Sequence, residues 1–124
     1  MKNQMVSEEI KKECRKRLLN MKQEILNRFR SAQQSFSQTE RTGDEIDLTV
    51  AQQEEHSFLV NQERLRHQML EVEMALARIE QGSFGICEET EEAIEEDRLL
   101  AIPWTRLSIE GAELREAMNR KYAR

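Results

Sequence analysis

Phe84-Gly85-Ile86-Cys87-Glu88-Glu89-Thr90 opens a frame that Ser108-Ile109-Glu110-Gly111 closes, with Ile94, Arg98-Leu99, Ala101 and Pro103 between them. A structural metal site of the form C-x-x-C, spacer, C-x-x-C would take its four ligands from positions 87, 90, 108 and 111. Those positions hold Cys87, Thr90, Ser108 and Gly111. Tetrahedral structural zinc needs four thiolate or imidazole ligands. One thiolate is present, so the frame is kept and the metal is expected to be lost. Packing must then hold this region, and Phe84, Ile86, Ile94, Leu99, Ile102, Trp104, Leu107 and Ile109 offer an apolar cluster, with Thr90 and Ser108 hydrogen-bonding locally.

Upstream of the frame the sequence reads as two long helices. Ser7 can cap the first, with Glu8 and Glu9 at the positive end of the helix dipole. Ile10, Cys14, Leu18, Met21, Ile25, Phe29, Ala32 and Phe36 recur at steps of three or four, which predicts one helix over residues 7–36, roughly 40–45 Å long. Residues 37–47, SQTERTGDEID, break the pattern as the turn of an αα-hairpin. Phe58, Gln62, Leu65, Met69, Val72, Leu76 and Ile79 then alternate steps of four and three, a coiled-coil seam ending near Gln81. Helices of similar length joined by a short turn pack antiparallel. Gln62 is the one polar seam residue and is expected to fix register at some loss of stability. Gly82 suits the C-terminal end of the second helix. A short helix is expected over residues 91–100. A last one should run from Ser108 to Tyr122, with Ile109, Ala112, Ala117, Met118 and Tyr122 packing inwards.

The composition agrees with an all-α chain of 124 residues in which long helices each bury one stripe: 38% hydrophobic, 35% charged and 5% aromatic. We divide it into a helical hairpin, 1–81, with an acidic tip near 42–49, and a small C-terminal region, 82–124. A net charge of −5 argues against binding a polyanion with the whole surface. No apolar run approaches the ~20 residues of a membrane span. Cys14 and Cys87 make no disulfide framework, and a cytoplasmic protein is the expectation. His56 and His67 lie on the coiled coil, away from the metal frame. There is no nucleophile triad, phosphate loop or metal motif, so no enzyme and no cofactor are expected. The seven carboxylates between Glu88 and Asp97 read as a solvated face. Lys11, Lys12, Arg15, Lys16, Arg17, Lys22, Arg28 and Arg30 form either a docking surface for an acidic partner or a solvated helix face.

The frame and hairpin together resemble the DksA/TraR family of bacterial transcription factors. The matching residues are Phe84-Gly85-x-Cys87, Ile94, Arg98-Leu99, Ala101 and Pro103. The turn Asp44-Glu45-Ile46-Asp47 matches as well, followed by Thr49 and Gln52-Gln53-Glu54-Glu55. The resemblance implies direct binding to RNA polymerase, without sequence-specific DNA binding. The coiled coil enters the secondary channel and the acidic tip, Asp44 and Asp47, sits near the catalytic magnesium. Thr49 stands where the family favours alanine. Arg64 stands where members carry an arginine that engages polymerase. The cationic positions that bind the alarmone ppGpp in some members are Glu71, Ile102 and Ala112 here, which cannot hold a polyphosphate. Two other readings of the residues remain at this stage. One is a coiled-coil interaction module that no longer acts on polymerase; the other is a redox or metal sensor centred on Cys87.

Overall fold

The computed structural model describes residues 6–42 and 48–122, with side chains through residue 38 in the first segment. Four helices occur in this order: α1, Glu8–Thr42; α2, Leu48–Gln81; α3, Glu96–Ala101; α4, Ile109–Tyr122. The chain is all-α, and a single antiparallel bridge pairs Ile86 with Ala93 among the described residues. The first helix outruns its expected end at residue 36 and extends for 35 residues, about 50 Å. The short helix starts later than expected, at Glu96, because the preceding residues are taken up by the bridge and its turn.

Caps set the helix ends. The Ile10 amide donates to Ser7 Oγ (3.2 Å) and the Lys11 amide to the Ser7 carbonyl (3.0 Å), so Ser7 is the N-cap of α1. At the other end of the hairpin Gly82 takes φ +85°, and the Ser83 amide reaches back to the Arg78 carbonyl (3.0 Å). This is a Schellman ending, and it turns the chain back along the hairpin base. Ser108 caps α4 in the same way as Ser7 caps α1, accepting from the Gly111 amide (3.0 Å).

Two apolar clusters form, one along the hairpin and one at its base. Leu18 and Ile25 of α1 pack on Leu65, Val72 and Ala75 of α2, with Met21, Phe29, Met69, Leu76 and Trp104 at the margin. Val6, Cys14, Phe84, Cys87, Ile94 and Leu99 form the second cluster. Ile79 packs against both, so the hairpin and the C-terminal region share one continuous core. Nearer the tip the packing thins to a stacked pair, Phe36 on Phe58, with ring centroids 4.3 Å apart.

Arginines and a thiol tie the C-terminal region to the hairpin through backbone carbonyls. Arg17 donates to the Leu100 carbonyl (2.6 Å), and the Cys14 thiol to that of Leu99 (3.5 Å). Arg78 donates to the carbonyls of Trp104 (3.2 Å) and Thr105 (3.4 Å). These bonds satisfy acceptors at the end of α3 and in the connector that would otherwise lack partners.

Two expectations are corrected. Ile109, Ala117, Met118 and Tyr122 do not pack inwards; all four are exposed, Tyr122 at 73%, Ala112 is half-buried, and Gly111 is the buried residue of α4. This helix is seated by Gly111 and by Arg115, which reaches Glu89 through two nitrogens (2.9 and 2.8 Å). Of the apolar cluster expected for the C-terminal region, Phe84, Ile94, Leu99 and Leu107 take part, Trp104 packs on the hairpin cluster instead, Ile86, Ile102 and Ile109 stay outside, and Val6, Cys14 and Cys87 join. Gly85 has φ +88°, and a Cβ there would fall on the Val6 methyl Cγ2, so the segment before α1 lies across the glycine.

Gln62 is buried, as a seam residue should be, but its Oε1 has no hydrogen-bond partner within the protein. An unpaired buried acceptor costs about 1–3 kcal/mol. Gln62→Leu is therefore expected to raise unfolding free energy by about 1–2 kcal/mol in urea titrations, with an unchanged denaturant slope. An unchanged or lowered midpoint would mean that this acceptor is satisfied.

Candidate functional site

Three regions carry the residues singled out by the sequence: the hairpin tip, the face of α2 around Arg64, and the frame at positions 87, 90, 108 and 111. The structure places them far apart along the molecule, because the hairpin separates its tip from its base by most of its length. Asp44 and Asp47 lie outside the described residues. Thr49 is exposed in the first turn of α2.

At the frame the chain has closed on itself. Cys87 is fully buried. Its amide donates to the Glu92 carbonyl (2.8 Å) and its carbonyl accepts from the Glu91 amide (2.9 Å). Its sulfur accepts from the Thr90 amide (3.5 Å). Glu91 holds φ 60° to make this turn, in a left-handed region uncommon for a residue with a Cβ. A Cβ built on Gly111 would fall well inside van der Waals contact of the Cys87 sulfur and would also meet Ser108 Oγ at 3.4 Å. The sulfur thus fills the space in which a fourth ligand side chain would have to stand.

This arrangement does not fit zinc. Two of the four positions offer neutral hydroxyls and one offers no side chain, whereas a closed structural site needs four thiolate or imidazole donors. The hydroxyls are used otherwise. Thr90 Oγ1 accepts from the Glu92 amide (3.3 Å), and Ser108 Oγ accepts from the Gly111 amide.

Electrostatics separate the two cysteines. Burial pushes the Cys87 thiol up, but hydrogen bonds from Ser108 and then Thr90 outweigh it and bring the pKa down to about 6. Burial pushes the Cys14 thiol up, with only partial opposition from Arg17. The two thiols are thus shifted in opposite directions, Cys87 down by its hydrogen bonds and Cys14 up by burial.

Along α2, Arg64 is exposed and donates to Asn61 Oδ1 (2.8 Å). It edges a groove of about 810 Å³ between α1, α2 and the connector, floored by Ile25, Val72 and Trp104. Glu71 lies on the same wall, 3.5 Å from the Arg106 Nε. Ile102 is half-buried in the connector, and Ala112 lies on α4. Several basic residues of α1 prove to be paired: Lys11 with Glu8, Arg15 with Glu80, Arg17 with Glu13 and Lys22 with Glu73. No helix among the described residues is long and apolar enough to cross a membrane.

Comparison with known proteins places these features together. The model of the prokaryotic dksA/traR C4-type zinc finger matches residues 82–117. The RNA polymerase-binding transcription factor DksA of Caulobacter vibrioides is 34% identical over 107 residues, covering 86% of this chain and 75% of that protein. An uncharacterised protein of Aquifex aeolicus is 33% identical over 114 residues, 87% of this chain and 77% of its own length. The solved structure of transcription factor DksA2 from Pseudomonas aeruginosa matches with a TM-score of 0.85 at 32% identity, covering 92% of this chain and 88% of that one.

Two outcomes follow from the frame. Dialysis against a strong chelator should leave the thermal midpoint unchanged, and elemental analysis should find zinc well below one ion per chain; a chelator-induced loss of fold would contradict the packing described. The second concerns pH. The folded thiol of Cys87 titrates near 6 and the unfolded one near its ordinary 9.0, so the unfolded chain binds more protons between those values. Stability is then complete above about pH 9 and is lost as pH falls towards 6, with a slope approaching ~1.4 kcal/mol per unit. Cys87→Ala should remove that slope, measured as the difference between the two proteins' urea midpoints across the window.

Proposed function

Because the chain belongs to the DksA/TraR family, we propose that it regulates transcription by binding RNA polymerase directly, inserting the far end of the α1–α2 hairpin into the secondary channel to modulate initiation. The observation that carries this reading is the hairpin itself. Helices of 35 and 34 residues give an arm about 50 Å long and only two helices wide. Its backbone hydrogen bonds are satisfied within each helix, so it keeps its shape without a surrounding domain and suits a narrow pore.

Asp44, Asp47 and Thr49 are the tip residues of this reading. Two carboxylates delivered beside a magnesium site act by charge on the mobile elements around it, and no covalent chemistry is asked of the chain. Arg64 engages the polymerase surface further back along the arm. DNA is not read directly. The DksA relatives are named as transcription factors, in keeping with a regulatory role and a cytoplasmic location beside polymerase.

Response to ppGpp through the family's positions is not part of this reading. Glu71 places a carboxylate where a polyphosphate needs a cation, and the nearby Arg106 is already engaged by it.

Asp44→Asn together with Asp47→Asn preserves turn and capping chemistry and removes charge. The double variant is expected to retain binding to core RNA polymerase while losing its effect on promoter-complex lifetime in transcription assays. Wild-type regulation by the double variant would show that the tip charges do no work.

A further inference from the structure

The last helix touches the rest of the chain along one side and near its start. Gly111 packs on the Cys87 sulfur, and Arg115 reaches Glu88 and Glu89. From Glu116 to Tyr122 every residue is exposed. A helix of 14 residues is marginal in water unless it packs an apolar face. Leu114 and Met118 remain 47% and 52% exposed, and Ala117 beside them is exposed as well. Positions 110, 114, 117, 118 and 121 recur at steps of three and four, so they share one face of α4. From its N-terminal end that face reads acid, leucine, alanine, methionine, base. Its two charges are unspent within the chain. The ion pairs of α4 among the described residues are those of Arg115, and the Lys121 ammonium lies 5.9 Å from the Tyr122 ring centre rather than on a carboxylate.

We infer that this face binds the same face of a second copy of the chain, the two α4 helices lying antiparallel about a two-fold axis between residues 115 and 116. The axis sets Glu110 of each copy against the partner's Lys121, and Leu114 of each against the partner's Ala117, with Met118 closing the margin. A two-fold interface must complement itself. This face does so because its acid and its base stand equally far from its middle, eleven residues or about 16.5 Å apart. Parallel pairing would instead oppose like charges. Antiparallel helices also bring opposite ends of their dipoles together, and the small side chain of Ala117 lets the backbones approach. The charge symmetry selects a second copy over an unrelated partner, which would have no need of it. The face is small beside the ~1,200 Å² at which standard interfaces begin, so the dimer is weak, with a Kd on the order of 0.1 mM. It goes beyond the polymerase reading and does not depend on it.

Sedimentation equilibrium of the full chain, from about 10 µM to about 1 mM, tests this across the expected range. The wild-type chain should self-associate, and Leu114→Glu, at an exposed position, should weaken association about tenfold or more. Glu110→Lys alone and Lys121→Glu alone should each weaken it about tenfold by opposing like charges, less so at high salt. Mixed in equal amounts, those two variants should form a heterodimer about as tight as the wild-type dimer, since every charge pair across the axis is then of opposite sign. Circular dichroism checks each fold. The mixture guards against a merely structural effect, because any cost to the helix is carried by each variant alone and in the mixture alike. A wild-type chain that stays monomeric throughout, a dimer untouched by Leu114→Glu, or a mixture that associates no better than its components would overturn the inference. Polymerase is absent from the measurement, so its failure would leave the polymerase reading standing.

Discussion

The contact between the Cys87 sulfur and the backbone of Gly111 sets the geometry of the whole C-terminal region. It requires that residue 111 carry no side chain, since a Cβ would occupy the sulfur's place. Once the sulfur is seated, α4 must start beside it, and Ser108 is positioned to cap that helix and to hydrogen-bond the sulfur. The same seat brings Phe84 and Ile94 against Leu99 and lets Val6 close over Gly85. A four-ligand metal site cross-links two loops by bonds to a central ion. Here the two loops meet directly, and a hydrogen-bonded sulfur occupies the centre. Close packing, rather than coordination, joins the loops here, and it constrains volume at every position involved.

The region so built serves as a base for the arm. Arg17 and Arg78 reach from the two helices to carbonyls of Leu100, Trp104 and Thr105, and Ile79 joins the two apolar clusters. Because each arginine reaches the C-terminal region through a backbone acceptor, the attachment tolerates change in neighbouring side chains. Surface ion pairs such as Arg15–Glu80 and Lys22–Glu73 add little, at 3.9 and 3.8 Å and well exposed. The hairpin's direction relative to its base is therefore set by core packing and bonds to backbone carbonyls.

Much of this was legible in the sequence, and the exceptions have physical causes. The stripe of α1 and the seam of α2 recur over many turns, so their periodicity fixed both helices, their pairing and the buried place of Gln62. Ala75 escaped because a small residue adds little to an apolar pattern, although it is fully buried. Val6 escaped because it is a single apolar residue before a cap, with no period to reveal it. In α4 the apolar positions suggested the wrong face, since that helix is seated by a glycine and an arginine, which hydropathy does not count as core. The donor types at the four frame positions were legible from residue chemistry alone. That the sulfur would pack on Gly111 depends on backbone approach, which residue types do not encode. The tip residues Asp44 and Asp47 fall outside the described part of the chain.

The bond from the Cys14 thiol to the Leu99 carbonyl joins residues 85 positions apart. Closing so long a loop from an open chain is entropically costly, and the reward is one weak contact and a few apolar neighbours. Pairing of α1 with α2 changes that arithmetic. Once the hairpin has zipped, Cys14 lies beside the end of α2, and the segment still to be closed is only the short stretch from Ile79 to Leu99. The order of assembly is thereby dictated by topology: arm first, base last. A nascent chain is committed to its rod before the frame residues around Cys87 have any partner to fold against.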